Sequence, residues 1–297
     1  MRFNIFAFLA SLFFFVLTIV SVLSDAAPAQ TYSDVKAFLN RVHSQNASRT
    51  TLFDIGVSDS GEAIQGIKIG NGSVKNLVVG THHGNEYGAT EVALGFAESV
   101  AKNPIAGQTV FVIPVLNITG YNNRDRYELS HDPNRDYPGP CGTEGPFKLK
   151  STKALADFVA REGIVASATL HTFFPAVVYP WGFATHDLKT QYQDLFVQMT
   201  KDATQESGYQ IGNSSEVIYP AGGTFEDYAF WHEGMWSILF ELGDSHSPND
   251  TDVDTLVAVN IPGLRRMLAN APKVRATDHA FKGKCDPEMR GRDKHNE

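Results

Sequence analysis

Leu77-Val78-Val79-Gly80-Thr81-His82-His83-Gly84-Asn85-Glu86-Tyr87 passes from an apolar run through two histidines to an acid. Leu77-Val78-Val79 reads as a buried strand that stops at Gly80. From Tyr87 to Ala97 the pattern is that of an amphipathic helix. Between strand and helix lies His83-Gly84-Asn85-Glu86, an HxxE. An open α/β sheet places its chemistry beyond the carboxyl ends of its strands. Imidazole nitrogen and carboxylate oxygen both bind zinc, and a catalytic zinc takes three protein ligands and keeps one position open. Alone the motif is weak. Short patterns arise by chance, and a glutamate at a helix start is also explained as a favourable charge at the dipole.

On either side of this unit the chain alternates strands with helices. Residues 51–57 and 63–69 read as strands around the turn Ser58-Asp59-Ser60-Gly61. Residues 109–115, 164–170, 177–182 and 236–242 read as further strands. Helical spacing covers 32–43, 151–161, 188–207 and 256–268. The alternation argues an α/β domain. Residues 117–150 break it, being rich in Asn, Arg, Asp, Pro and Gly. A loop of that length inside a domain is usually functional.

The 297 residues, 42% hydrophobic and 20% charged, suffice for one large or two small domains. No repeat, low-complexity tract or linker divides them, so one domain is expected. A net charge of −8 argues against a nucleic-acid surface. Residues 1–27 read as a signal peptide: Arg2, an apolar run from Ile5, then Ser24-Asp25-Ala26-Ala27. An uncleaved signal anchor is the alternative, because the apolar run is long. The catalytic domain is expected over 30–280 and a polar tail over 281–297. Secretion, with no stable membrane association after cleavage, fits five N-x-[ST] sequons at Asn46, Asn71, Asn117, Asn213 and Asn249. It also permits Cys141 and Cys285 to pair, a bridge worth roughly 3–5 kcal/mol in the loop-entropy account. Two free thiols are the other reading.

Three further stretches carry chemistry. His171 ends an apolar strand as His83 follows one, so a sheet can bring them together; a histidine that merely ends a strand is the plainer account. Glu241, between Phe240 and Leu242 on a buried strand, needs a partner, a metal or a raised pKa. A carboxylate so tuned serves as a general base, although pairing with an arginine would also satisfy it. Asn134-Arg135 sets a planar guanidinium beside an amide, suited to a bidentate carboxylate, with Arg124 and Arg126 just upstream.

Taken together these residues resemble the secreted zinc metallocarboxypeptidases of the carboxypeptidase A and B type, in the right order over nearly the whole mature chain. The resemblance implies a mixed, mostly parallel central sheet flanked by helices. It implies one zinc ion on His83, Glu86 and His171, with Glu241 as the catalytic base. Arg126, or else Arg124, would polarise the scissile carbonyl. Asn134, Arg135 and Tyr219, which precedes Ala221-Gly222-Gly223-Thr224, would hold the substrate's terminal carboxylate. The specificity position falls near Phe225-Glu226. Phe225 there suggests apolar side chains and Glu226 basic ones. The implied activity is hydrolysis of the C-terminal peptide bond of peptides or proteins, and a monomer is expected. In departure from that family, no pro-domain is expected between the leader and the first helix. Two other readings use the same residues: a zinc deacylase or amidase of small N-acyl amino acids or cell-wall peptides, and a binding protein on an inactive scaffold.

Overall fold

Eight apolar segments pair into one sheet in the computed structural model, which describes residues 31–143, 145–184 and 188–285. The expected signal peptide, and the tail beyond Cys285, lie outside the described residues. The strands are β1 (Thr50–Val57), β2 (Ala63–Ile69), β3 (Val74–Gly80), β4 (Gln108–Ile113), β5 (Ala166–His171), β6 (Ala176–Tyr179), β7 (Gln210–Asn213) and β8 (Trp236–Glu241). Their order is β1-β2-β4-β3-β5-β8-β6-β7. The pairings β3–β4, β3–β5, β5–β8 and β6–β7 are parallel. The pairings β1–β2, β2–β4 and β6–β8 are antiparallel. The sheet is therefore mixed with parallel pairs in the majority, as the resemblance implies.

Helices cover both faces, which is why β4 and β5 are buried at every position and read as unbroken apolar runs. They are α1 (Tyr32–Gln45), α2 (Tyr87–Lys102), α3 (Ile118–Asn123), α4 (Lys150–Glu162), α5 (Gln193–Ala203), α6 (Ser214–Val217), α7 (Phe225–Glu233) and α8 (Asp250–Asn270). A reciprocal Thr31–Asp34 capping box starts α1. Gly163 at φ +67° ends α4, a conformation costly for any residue with a Cβ.

The observed elements depart from the expected ones where local chemistry outweighs apolar spacing. The helix expected over 188–207 is α5 alone, because the Thr190 hydroxyl turns the chain by accepting from the Tyr192 N–H. The last helix starts at Asp250, earlier than expected, because Asn249 Oδ1 caps the Asp252 N–H and acids suit a first turn. Short β7 and α6 were not expected. Nor was α7, which is buried on nearly all sides in its first two turns and so has no polar face to mark it.

Residues 117–150 hold α3 and a single 3₁₀ turn, Pro133–Arg135, rather than bare loop. Their polar side chains pin them. Glu128 accepts from the hydroxyls of Ser151 (2.5 Å) and Thr119 (3.1 Å). Asp136 accepts from the Lys148 and Leu149 N–H groups at 2.9 and 3.0 Å. Cys141 and Cys285 form a disulfide across 144 residues of sequence. No helix among the described residues is long and apolar enough to cross a membrane.

Candidate active site

Three strand ends build the site. β3 finishes at Gly80 and β5 at His171, adjacent and parallel, and β8 lies beside β5 with Glu241 in register with His171. After β3 the chain turns sharply enough that His82 and His83 point different ways. His82 packs inward, its Nε2 3.0 Å from the Tyr137 hydroxyl. His83 faces the sheet's carboxyl edge. Gly84 permits this turn. A Cβ there would lie 2.1 Å from the Gly120 carbonyl carbon, so only glycine lets α3 abut the HxxE.

His83, Glu86 and His171 converge, at 4%, 1% and 0% exposure. His83 Nδ1 stands 2.7 Å from Glu86 Oε1. His171 Nδ1 stands 3.2 Å from His83 Nδ1 and 3.0 Å from Glu86 Oε2. Two imidazole nitrogens facing one another across 3.2 Å, with a carboxylate closing the triangle, direct three lone pairs at one point. Zinc bonds of 2.0–2.1 Å in a tetrahedron set ligand atoms about 3.3 Å apart, close to the His–His separation here. The donor set therefore fits one zinc ion, and these three residues are those that can hold it.

The surroundings support that use. His83 Nε2 lies 3.0 Å from Asp132 Oδ1, which fixes the ring and leaves Nδ1 toward the cluster. Asp132 Oδ2 in turn accepts from Arg126 Nε (3.0 Å) and Nη2 (2.8 Å). Burial alone would depress His83, but the Glu86 and Asp132 carboxylates overcome it and raise the imidazole to about 9. Burial works against Glu86's charge, yet His83 and His171 hold its carboxyl far below the usual range. Glu241 is pushed the other way, to about 8, by burial and by the Glu86 carboxylate. Its Oε2 has no hydrogen-bond partner.

The two arginines separate clearly. Arg126 reaches within 4.0 Å of Glu86 Oε1, and its backbone carbonyl accepts from Asn117 Nδ2 (3.2 Å) and from the Gly84 N–H (3.3 Å). Arg124, exposed at the end of α3, lies over the Tyr87 ring instead, 5.6 Å from its centre. Arg135 Nη2 donates to the Tyr219 hydroxyl at 3.2 Å, and Tyr219 is 52% exposed. Asn134 Oδ1 accepts from the Phe225 N–H at 2.9 Å, tying the 3₁₀ turn to the start of α7. Phe225 packs its ring on Tyr137 and His82. Glu226, 2% exposed, accepts from the Thr169 hydroxyl. The sheet thus brings together His83, Glu86, His171, Glu241 and Arg126. Asn134, Arg135, Tyr219 and Glu226 lie on the adjoining 3₁₀ turn, the 218–223 loop and α7.

Sequence reasoning passed over Asp132, Thr169 and His82. Asp132 had a usable signal: a metal-bound imidazole wants an acceptor on its far nitrogen, and an acid precedes Asn134-Arg135 by two. Thr169 and His82 had none, because their neighbours come from α7 and from the 136–138 segment, distant in sequence.

A parallel-centred sheet carrying a His–Glu–His donor set beside the half-buried Glu241 carboxylate defines a class, the metal-dependent hydrolases. Residues 35–258 match the Peptidase_M14 zinc carboxypeptidase model, and the chain belongs to that family of peptide hydrolases. Carboxypeptidase B of Astacus astacus is 24% identical over 262 residues, covering 72% of this chain and 86% of that one. Carboxypeptidase B of Homo sapiens is also 24% identical over 72% of this chain, which spans 63% of its length. Among solved structures, bovine thrombin-activatable fibrinolysis inhibitor, in complex with tick carboxypeptidase inhibitor, aligns with a TM-score of 0.72 at 17% identity. That alignment covers 80% of this chain and 95% of the other and reports the fold.

Proposed function

We propose that this chain is a secreted zinc carboxypeptidase that removes C-terminal residues with basic side chains. The observation that carries the preference is Glu226. Its carboxylate is buried, is bonded by the Thr169 hydroxyl and has no cationic partner among the described residues. A buried carboxylate without a counter-charge is costly, and a lysine or arginine side chain of the substrate would supply one. Phe225, its ring spent on Tyr137 and His82, is the weaker candidate for lining that pocket.

Bound by His83, Glu86 and His171, one zinc ion supplies Lewis acidity and acidifies water. Glu241 takes the proton from the attacking water and delivers it to the leaving amine. Arg126, rather than Arg124, faces the developing oxyanion, since its guanidinium lies at the cluster. Arg135, Asn134 and Tyr219 grip the terminal carboxylate and so restrict cleavage to the last bond. Tyr219, exposed on the 218–223 loop and already bonded to Arg135, is placed to cover that carboxylate.

The Cys141–Cys285 bridge supports an oxidising compartment and with it the leader at 1–27; the proposed bounds are a catalytic domain over 30–280 and a tail over 281–297, with Cys285 of that tail tied to the domain. The test is a panel of blocked dipeptides ending in Lys, Arg, Leu or Phe, with the Lys substrate also amidated. Free C-terminal Lys and Arg are expected to give the highest kcat/KM. Glu226→Gln should lose at least about 30-fold on them, the equivalent of roughly 2 kcal/mol for leaving one buried charge unpaired. Equal turnover of amidated substrate would sink the carboxypeptidase reading in favour of an amidase.

A further inference from the structure

The five sequons fall into two groups once the chain is folded. Asn117 and Asn213 are 0% exposed. Asn117 uses both ends of its amide, Oδ1 accepting from the Gly120 N–H at 2.7 Å and Nδ2 donating to the Arg126 carbonyl. Asn213 caps α6 by accepting from the Glu216 N–H. Asn46 spends its Nδ2 on the Val42 carbonyl at the end of α1. On Asn46 and Asn117 a sugar would break a bond that Nδ2 makes, and at the wholly buried Asn117 and Asn213 it would have no room. Asn71 and Asn249 differ. Both are exposed, as are the sequon residues Ser73 and Thr251. Asn249 commits only Oδ1, to the Asp252 N–H. Its Nδ2 has no acceptor among the described residues.

The two exposed sites sit at opposite ends of the sheet. Asn71 lies in the turn before β3, away from the strand ends that carry the ligands. Asn249 follows the 243–248 segment, which is packed against the site. His246 Nδ1 is 3.2 Å from the Thr172 hydroxyl, next to His171, and its carbonyl accepts from the Gly88 N–H. The exposed Phe173 ring meets the His246 ring at 4.8 Å. Asn249 is three residues on from His246, at most about 11 Å of chain.

We propose that the chain carries N-linked glycans at Asn71 and Asn249 and none at Asn117 or Asn213, and that the Asn249 glycan stands at the lip of the cleft and screens folded proteins from it. The proposal rests on the secretory reading above. Transfer joins Asn249 Nδ2 to the anomeric carbon of an oligosaccharide carried on a polyprenyl diphosphate. The anomeric C–O bond breaks, the lipid diphosphate leaves, and Nδ2 gives up one proton to the transferase. Short peptides pass such a hydrated chain, whereas bulky substrates meet it first.

The full chain, expressed in a secreting eukaryotic cell, is treated with peptide N-glycosidase in ¹⁸O water and mapped by mass spectrometry. Labelled Asp is expected at positions 71 and 249, with 117 and 213 unlabelled. A folded, secreted protein labelled at 117 or 213, or unlabelled at 71 and 249, overturns the proposal. A chain retained in the cell with its leader uncleaved overturns the secretory reading itself. Thr251→Ala then removes one sequon and keeps the Asn249 cap. It should lose one glycan and gain several-fold in kcat/KM on a folded protein with C-terminal Lys, with a short blocked dipeptide unchanged. The same kcat/KM change on both substrates, or none on either, removes the screening role.

Discussion

Glu241 shows how one side chain's surroundings set its task. On β8 beside His171, it is only partly exposed with its Oε2 enclosed, and desolvation and the Glu86 carboxylate raise it to about 8. A bound cation would oppose that rise. Glu241→Gln should keep the metal stoichiometry of the parent and lose nearly all turnover, by kcat rather than KM; metal analysis beside steady-state kinetics tests both halves. Asp227 is a second buried acid, on α7. Burial, with Glu226 adding to it against the bonds from the Gly182 and Phe183 N–H groups, pushes Asp227 up to about 8. Its folded value lies above its unfolded 3.8, so its contribution is complete below 3.8 and is lost as pH rises through about 8. Asp227→Asn keeps a carbonyl for Gly182 and cannot ionise. The parent should therefore lose more melting temperature between pH 4 and 8 than the variant does. Equal slopes would refute a protonated Asp227.

At the scale of elements, the proposed catalytic groups that the sequence announced are those at strand ends. His83, His171 and Glu241 follow or close apolar runs, so period and punctuation locate them. Glu86 follows by spacing. What could not be read is what lies beneath. α7 is too thoroughly buried to show a stripe, and the Thr169–Glu226 bond joins residues 57 apart. Thr169, on β5, meets Glu226, on α7, only once the helix packs on the sheet, and no local pattern states that adjacency. The disulfide belongs to this scale too. Cys141 sits in the 139–143 segment, which packs against Gly223, and a Cβ on Gly223 would meet the Arg135 carbonyl at 2.5 Å. The bridge therefore steadies the segment behind the carboxylate grip. The double variant Cys141→Ser/Cys285→Ser should lower the melting temperature and raise KM for free-carboxylate substrates, with kcat and zinc content near the parent's. If melting falls but KM stays fixed, the bridge is a structural staple alone.

For the molecule as a whole, the question is what holds the site together before zinc arrives. A protonated His83 between Glu86 and Asp132 provides a positive charge where the cation will sit. Its folded value of about 9 lies above the usual imidazole value of 6.5, so this stabilisation is complete below 6.5 and is lost as pH rises through about 9. Zinc takes the neutral imidazole, so the loaded protein should not share this loss. Calorimetry of chelated and zinc-loaded protein from pH 6 to 9.5 should show melting temperatures that diverge with pH. Parallel curves would exclude a charged His83. Circular dichroism should not change on chelation, since the sheet, not the ion, brings the ligands together.

The separation of His83 and Glu86 from His171 by the whole β4–β5 stretch has one last consequence. No early fragment of the chain owns all three donors, and the finished sheet owns them without help. Under zinc starvation this protein would still be made and folded, intact and silent. The arrival of the ion, rather than fresh synthesis, would then set the moment when hydrolysis begins.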